Sequence, residues 1–249
     1  MNVTSDTQKS KKATAANPPP SNVDRWLKRE TPRVRKALES ASRYFDGNDN
    51  LTVHTLEAVY AQESSFGTML RERGSTVAAG HFHLKPDTAR RYSLNVLEKN
   101  DQRFDIDYAS SAAARYLKDL DTMFSEKRTS KVPDTIPVKS ASERKKFVLG
   151  AYNAGEGRVA AAQQRAQEAR KNPQSWDEVE TFLEAADTTK DKAHETRQFV
   201  EKILSHEAEL SIKSSANKSL KQKEPRQGTY RCTEGHWVTI DARPVFICD

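Results

Sequence analysis

The sequence lacks any long apolar run. No stretch approaches the roughly 18 apolar residues that a membrane-spanning helix needs. Residues 1–22 carry basic charge but no apolar core, so they do not resemble a signal peptide; we expect either a leader that has been removed or another export route. Hydrophobic residues make up 35% of the chain and the mean hydropathy is −0.85. We therefore expect part of the chain to be tail or linker.

Cysteine is also scarce. The two cysteines, Cys232 and Cys248, lie near the C-terminus, with no CxxC motif and no cluster of residues at metal-ligand spacing. This excludes a cysteine-ligated zinc module. A local pair favours a disulfide and an oxidising compartment, with two free thiols as the alternative.

The chain has fewer acidic residues than basic ones. The net charge of +6 and the isoelectric point near 9.2 suit an anionic polymer: nucleic acid, an acidic cell-wall glycan or an anionic membrane. The basic residues are scattered and form no nucleic-acid recognition motif, so nucleic-acid binding rests on charge alone and is not favoured.

What the chain does have is helical periodicity, which predicts a mainly α protein. The C-terminal residues change to alternating apolar and turn residues, which is typical of a small β-hairpin. The predicted parts are a flexible tail at 1–22, a helical domain at 23–210, a basic linker at 211–228, and a hairpin at 229–249 that a Cys232–Cys248 disulfide would hold.

The stretch AVYAQESSFG, residues 58–67, places a carboxylic acid at the end of an apolar helical stripe. Leu56, Val59 and Tyr60 share a face with Glu63, and a helix stop follows. Partial desolvation disfavours the charged form of a carboxylic acid, which is what a general acid requires. From spacing alone, a solvent-exposed or capping glutamate fits as well.

Five segments between residues 51 and 204 resemble, in order, the motifs of the soluble, goose-type lysozyme-like lytic transglycosylases. AVYAQESSFG is similar to E-S-x-x-G/N, and AAGHFHLKPDTARRY to A-x-G-L-M-Q-x-M-P-x-T-A. FDIDYASSAAARYLKDL resembles the helix N-I-x-x-G-x-x-Y-L, LGAYNAGEGRV resembles A-Y-N-A-G-x-G-x-V, and ETRQFVEKIL resembles E-T-R-x-Y-V-x-x-V. The fourth match is the most specific.

The resemblance implies a lysozyme-like helical domain that cleaves the β-1,4 link between N-acetylmuramic acid and N-acetylglucosamine in peptidoglycan. Glu63 would act first as acid and then as base. The substrate's own N-acetyl or 6-hydroxyl group would replace the second carboxylate of most glycosidases. The product would carry a 1,6-anhydro-muramic end. No metal or organic cofactor is implied, and the substrate implies a periplasmic or extracellular location.

The same resemblance identifies candidate substrate-binding residues: Ser64, Ser75, His83, Tyr152 and Asn153. Three of them have structural alternatives. Ser64 either orients Glu63 or holds the helix terminus, Asn153 either binds a sugar or holds a turn, and Tyr152 is either a phenol near the sugar or a core residue.

The chain departs from the family pattern in two motifs and in the spacing between Glu63 and Gly80, which is slightly longer than usual and bears on the assignment of Ser75. Gly80-His81-Phe82-His83 stands where the family has G-L-M-Q, so His83 replaces a glutamine and brings a charge that changes near neutral pH. Phe199 replaces a tyrosine of the last motif. A metal site at His81-x-His83 is disfavoured because no third ligand is nearby.

Two other functions remain open. One is a muramidase that lets water attack, and the other is a scaffold that holds peptidoglycan without cutting it. Glu72 and Glu156 remain candidates for a second carboxylate. The expected partners are glycan strands, and enzymes of this family often serve machines that cross the wall.

Overall fold

The computed structural model describes residues 19–73, 76–126, 134–186, 188–223, 235–240 and 243–248. The chain divides into two compact units, one through Leu210 and one from Ser211 onward. Across the described residues, no helix combines the length and apolar character that crossing a membrane requires. The predicted mainly α fold with a small C-terminal hairpin is confirmed.

Short and medium helices build the first unit, and the last helix continues beyond it. They are α1 (Asn22–Leu27), α2 (Pro32–Ala41), α3 (Val53–Ser64), α4 (Pro86–Arg91), α5 (Ile106–Ser125), α6 (Ala141–Ala154), α7 (Glu156–Glu168), α8 (Trp176–Val179) and α9 (Lys190–Lys223). Strands β1 (Val96–Leu97) and β2 (Asn100–Asp101) form a short antiparallel ladder before α5. Single 3₁₀ turns follow α2, β2 and α8.

Several helices begin where a polar side chain satisfies free backbone N–H groups. Thr31 accepts a hydrogen bond from the N–H of Val34, and Pro32 occupies the first helical position of α2, where its missing N–H costs nothing. Thr52 caps α3 in the same way. These caps fix where α2 and α3 start, and so which face each buries.

The core is built around α5, which packs against α2, α3 and α6. Its buried alanines, Ala109, Ala112, Ala113 and Ala114, leave room for the neighbouring helices to approach closely. In α6, a Cβ added at Gly150 would lie 2.2 Å from the Trp176 ring, so α8 rests directly on the α6 backbone. Small residues therefore set the helix spacing, as their frequency in the sequence suggests.

Of the residues predicted as a basic linker, 211–228, residues 211–223 continue α9. Lysine, glutamine, leucine and alanine, which are good helix formers, make up seven of these thirteen residues. Strands β3 (Gly235–Ile240) and β4 (Arg243–Cys248) pair antiparallel, as predicted for the hairpin. The predicted Cys232–Cys248 disulfide depends on Cys232, which lies outside the described residues, as do residues 1–18 of the predicted tail.

Candidate active site

Helix α3 ends in a left-handed turn that presents Glu63 at the edge of the core. Ser65, Phe66 and Gly67 all have positive φ, at 47°, 56° and 76°. The N–H of Ser65 closes the helix on the carbonyl of Ala61 at 2.9 Å. The Glu63 side chain is 15% exposed, so it is partly desolvated but reachable from solvent. This is the placement that the apolar stripe predicts.

Ser64 is fully buried, and its contacts are with the backbone. Its hydroxyl donates to the carbonyl of His81 at 2.7 Å and accepts from the N–H of Gly67 at 3.0 Å. Of the two roles predicted for Ser64, this position favours holding the helix terminus. The bond also ties the end of α3 to the 79–84 turn that carries His83.

A second set of contacts holds the 79–84 turn against Arg103. Gly80, at φ +81°, lies against the backbone of Arg103, whose carbonyl accepts from the N–H of His81 at 2.9 Å. The buried Arg103 guanidinium pairs with Asp101 at 2.7 Å and donates to the carbonyls of Val77 and Leu84 at 3.1 and 3.0 Å. Sequence reasoning missed Arg103, because it precedes the matched helix motif and no pattern marks it as buried.

His83 contacts Glu63 directly. Its Nδ1 lies 3.0 Å from Oε2 of Glu63, and its Nε2 lies 2.8 Å from the carbonyl oxygen of Met69. The backbone of His83 is in the left-handed region, at φ 43°, a conformation that histidine adopts more readily than most residues. The imidazole therefore bridges the carboxyl group of Glu63 and the backbone carbonyl of Met69.

Tyr152 and Asn153 reach the same region from α6. The Tyr152 hydroxyl donates to the carbonyl of Phe82 at 2.8 Å, and its ring stacks on Phe199 with an interplanar angle of 7°. Burial, assisted by the nearby negative charge of Glu63, raises the pKa of Tyr152 well above its usual value, so it remains a neutral donor. Asn153 donates to Glu195 at 3.0 Å and accepts from Thr196 at 2.8 Å.

Two cavities, of about 540 and 280 Å³, meet at Glu63. The residues that line both are Glu63, Arg71, His83, Asn153 and Glu195. The smaller cavity also reaches Tyr152 and Glu156. Of the predicted site residues, the structure therefore brings Glu63, His83, Tyr152 and Asn153 together, and Ser75 lies outside the described residues.

The other carboxylates of the cavities are already engaged. Glu156 accepts from the Tyr116 hydroxyl at 3.1 Å and pairs with Arg91 at 3.3 Å. Burial opposes the charged form of Glu195, yet hydrogen bonds from Lys192 and Asn153 lower its pKa overall. Glu72 is exposed and lines neither cavity. Sequence reasoning missed Glu195, which stands inside the E-T-R match.

In the part of the chain that the structure describes, no group of three or more histidine, cysteine or acidic side chains is arranged to hold a metal ion. His81 faces the aromatic ring of Tyr60 at 5.6 Å, while His83 faces Glu63. Burial lowers the pKa of His81, which favours a neutral ring.

Comparison with known proteins finds relatives of the region that contains these site residues. Residues 42–175 match the sequence profile of the transglycosylase SLT domain. The chain is 31% identical over 128 residues to the membrane-bound lytic murein transglycosylase F of Salmonella choleraesuis (strain SC-B67) and to that of Enterobacter sp. (strain 638). The Salmonella typhi protein of the same name is 30% identical over 128 residues.

The match to the first two relatives covers 51% of this chain and 21% of each of them, so the chain corresponds to about a fifth of their length. The profile match spans more than half of the chain and contains Glu63, His83, Tyr152 and Asn153. It also ends before α9, which supplies Glu195 and Phe199 to the cavities. The chain belongs to the transglycosylase SLT domain family.

Proposed function

We propose that the protein is a peptidoglycan lytic transglycosylase that cleaves the β-1,4 link between N-acetylmuramic acid and N-acetylglucosamine. The observation that carries the proposal is the position of Glu63 where two cavities meet. A glycan strand extending through both would place one of its glycosidic bonds beside this carboxyl group. Family membership and the name of the relatives, lytic murein transglycosylase, support the same substrate.

In the proposed reaction, the protonated carboxyl of Glu63 donates its proton to the glycosidic oxygen, and the bond from that oxygen to C1 of the muramic residue breaks. The resulting carboxylate takes the proton of the C6 hydroxyl, whose oxygen then bonds to C1. One proton leaves Glu63 and one returns, so the residue ends as it began. The product is a 1,6-anhydro-muramic end.

One acid suffices in this scheme because the substrate supplies its own nucleophile. The arrangement of the other carboxylates supports this. Glu156 pairs with Arg91, and Glu195 pairs with Lys192 and accepts from Asn153, so both side chains are held in place as substrate-positioning groups. Asn153, fixed between Glu195 and Thr196, offers a side-chain amide of defined orientation to a sugar.

The cavity lining also suits an acidic polymer. Arg71, Lys85, Arg91, Lys192 and Lys202 contribute positive charge around Glu63, and the peptide stems of peptidoglycan carry carboxylates. We propose accordingly that the protein acts in the cell envelope, outside the cytoplasmic membrane, where this substrate is found.

Incubation of the purified protein with peptidoglycan sacculi tests the proposal. We expect soluble muropeptides to accumulate, measured by chromatography of the supernatant, while the pellet loses material. Protein that sediments with the sacculi without releasing fragments would support the scaffold function instead. Neither binding nor release, over a wide pH range, would refute the proposal for this chain.

A further inference from the structure

The contact between His83 and Met69 fixes where one proton of the imidazole lies. A carbonyl oxygen can only accept a hydrogen bond, so Nε2 of His83, 2.8 Å away, must carry hydrogen. This holds for both the neutral and the charged ring. All freedom of protonation is therefore confined to Nδ1, the nitrogen that faces Glu63.

The 3.0 Å contact between Nδ1 and Oε2 of Glu63 then requires one proton between the two atoms. Either a neutral carboxyl donates to the Nδ1 lone pair, or an imidazolium N–H donates to a carboxylate. If that proton is removed, two lone pairs face each other at 3.0 Å, and the second of them belongs to a charged oxygen. Glu63 and His83 therefore bind and release this proton as a coupled pair.

The surroundings keep this unit distinct from the other ionisable groups. Tyr152, on α6, has its hydroxyl committed to the Phe82 carbonyl and stays neutral. Glu195, on α9, pairs with Lys192 at 2.8 Å. The remaining charged groups that line the two cavities are Arg71, which donates to the Ala78 carbonyl, Arg91, which pairs with Glu156, Lys85 and Lys202.

We propose that His83 is a positioning residue that shares its Nδ1 proton with Glu63, so that the acid keeps a donatable proton at higher pH than it would beside a neutral amide. The inference deepens the proposed function and rests on it. Both side chains are only partly exposed, at 10% for His83 and 15% for Glu63, so water weakens the contact little.

The shared proton accounts for both halves of the reaction. When it passes to the glycosidic oxygen, the pair is left with no proton between Nδ1 and Oε2. The opposed lone pairs make this state a stronger base than a lone carboxylate, which favours removal of the C6 hydroxyl proton as its oxygen bonds to C1. The proton then returns to the pair. A glutamine at position 83 would instead donate an N–H to the carboxylate, which stabilises the charged form.

The pH dependence of kcat/KM for fragment release tests the proposal with His83→Gln, which restores the usual family residue. We expect the alkaline limb of the profile to move to lower pH by about one unit or more, the size at which two sites titrate as a coupled pair. His194→Gln is the matched control, because His194 is exposed and lines neither cavity; its profile should follow the wild type. A His83→Gln profile that differs only in height would overturn the proposal.

Nitrogen NMR of the His83 ring provides a measurement that does not depend on turnover or on how the His83 variant folds. At neutral pH we expect the wild-type Nδ1 signal to lie between those of protonated and unprotonated nitrogen, and to become unprotonated in Glu63→Gln. Nε2 should carry hydrogen in both proteins. An unchanged Nδ1 signal would contradict proton sharing. If the NMR result holds but no sacculi are cleaved, the proposed function fails and the proton sharing stands.

Discussion

Replacing Glu63 with glutamine is expected to lower the rate of fragment release from sacculi by at least about 100-fold, the lower end of what general acid–base catalysis contributes. Glutamine keeps the size of the side chain and can still hydrogen-bond to Nδ1 of His83. It has no proton to donate to a glycosidic oxygen and cannot accept one from the C6 hydroxyl. The loss should therefore appear in kcat, with binding to sacculi retained.

The matched control is Glu156→Gln, which removes a carboxylate from the same cavity system. Glu156 is held by Tyr116 and Arg91 and lines only the smaller cavity. We expect its loss to cost less than about 10-fold, because it acts on positioning and not on proton transfer. Equal losses in both variants, or a Glu63→Gln enzyme that keeps a tenth of the activity, would remove Glu63 from its assigned role.

Gly80→Ala is expected to give the largest loss of stability among single-methyl substitutions at the site, about 3 kcal/mol. The added Cβ would lie 2.1 Å from the carbonyl oxygen of Arg103, and the residue is already at φ +81°. The same carbonyl accepts from the N–H of His81, so relieving the clash breaks that bond and displaces His83. Cleavage activity should fall together with the melting temperature.

Gly47→Ala is the control for this prediction, because a Cβ there meets nothing within 4 Å. Its free energy of unfolding, measured by chemical denaturation, should stay within about 0.5 kcal/mol of the wild type. If Gly80→Ala is as stable and active as Gly47→Ala, then the contact with Arg103 does not position the 79–84 turn as the structure implies.

The sequence predicts the position of Glu63 well, because helical periodicity and a following turn are both local signals. The apolar stripe through Leu56, Val59 and Tyr60 is buried as expected. His83, Tyr152 and Asn153, which the resemblance identifies, line the same cavity as Glu63. The substitution of His83 for glutamine also marks the residue as unusual before its contacts are known.

The contacts that give these residues their roles could not be read from the sequence. The Glu63–His83 bond needs a left-handed backbone at His83 and the carbonyl of Met69, and neither leaves a pattern in side-chain spacing. Arginine is usually exposed to solvent. Arg103 is nevertheless fully buried, because Asp101 and two backbone carbonyls compensate its charge. Ser64 likewise depends on a partner far along the chain.

The helical structure of residues 211–223, at the end of α9, also could not be predicted from the sequence. Residues 211–223 are polar and basic, which is the composition of many linkers, but about half of them are good helix formers and the segment continues an established helix. Extension of an existing helix requires no new nucleation. Composition alone does not distinguish these two outcomes.

Digestion of sacculi in water enriched in oxygen-18 tests the central claim most directly, because it reports which oxygen bonds to C1 of the muramic residue. Mass spectrometry of the released fragments should show 1,6-anhydro ends that contain no solvent oxygen, since the substrate's own C6 oxygen closes the ring. Reducing ends that each carry one heavy oxygen would show that water is the nucleophile. Such a result would contradict the proposed role of Glu63 as the base for the C6 hydroxyl and would identify a muramidase.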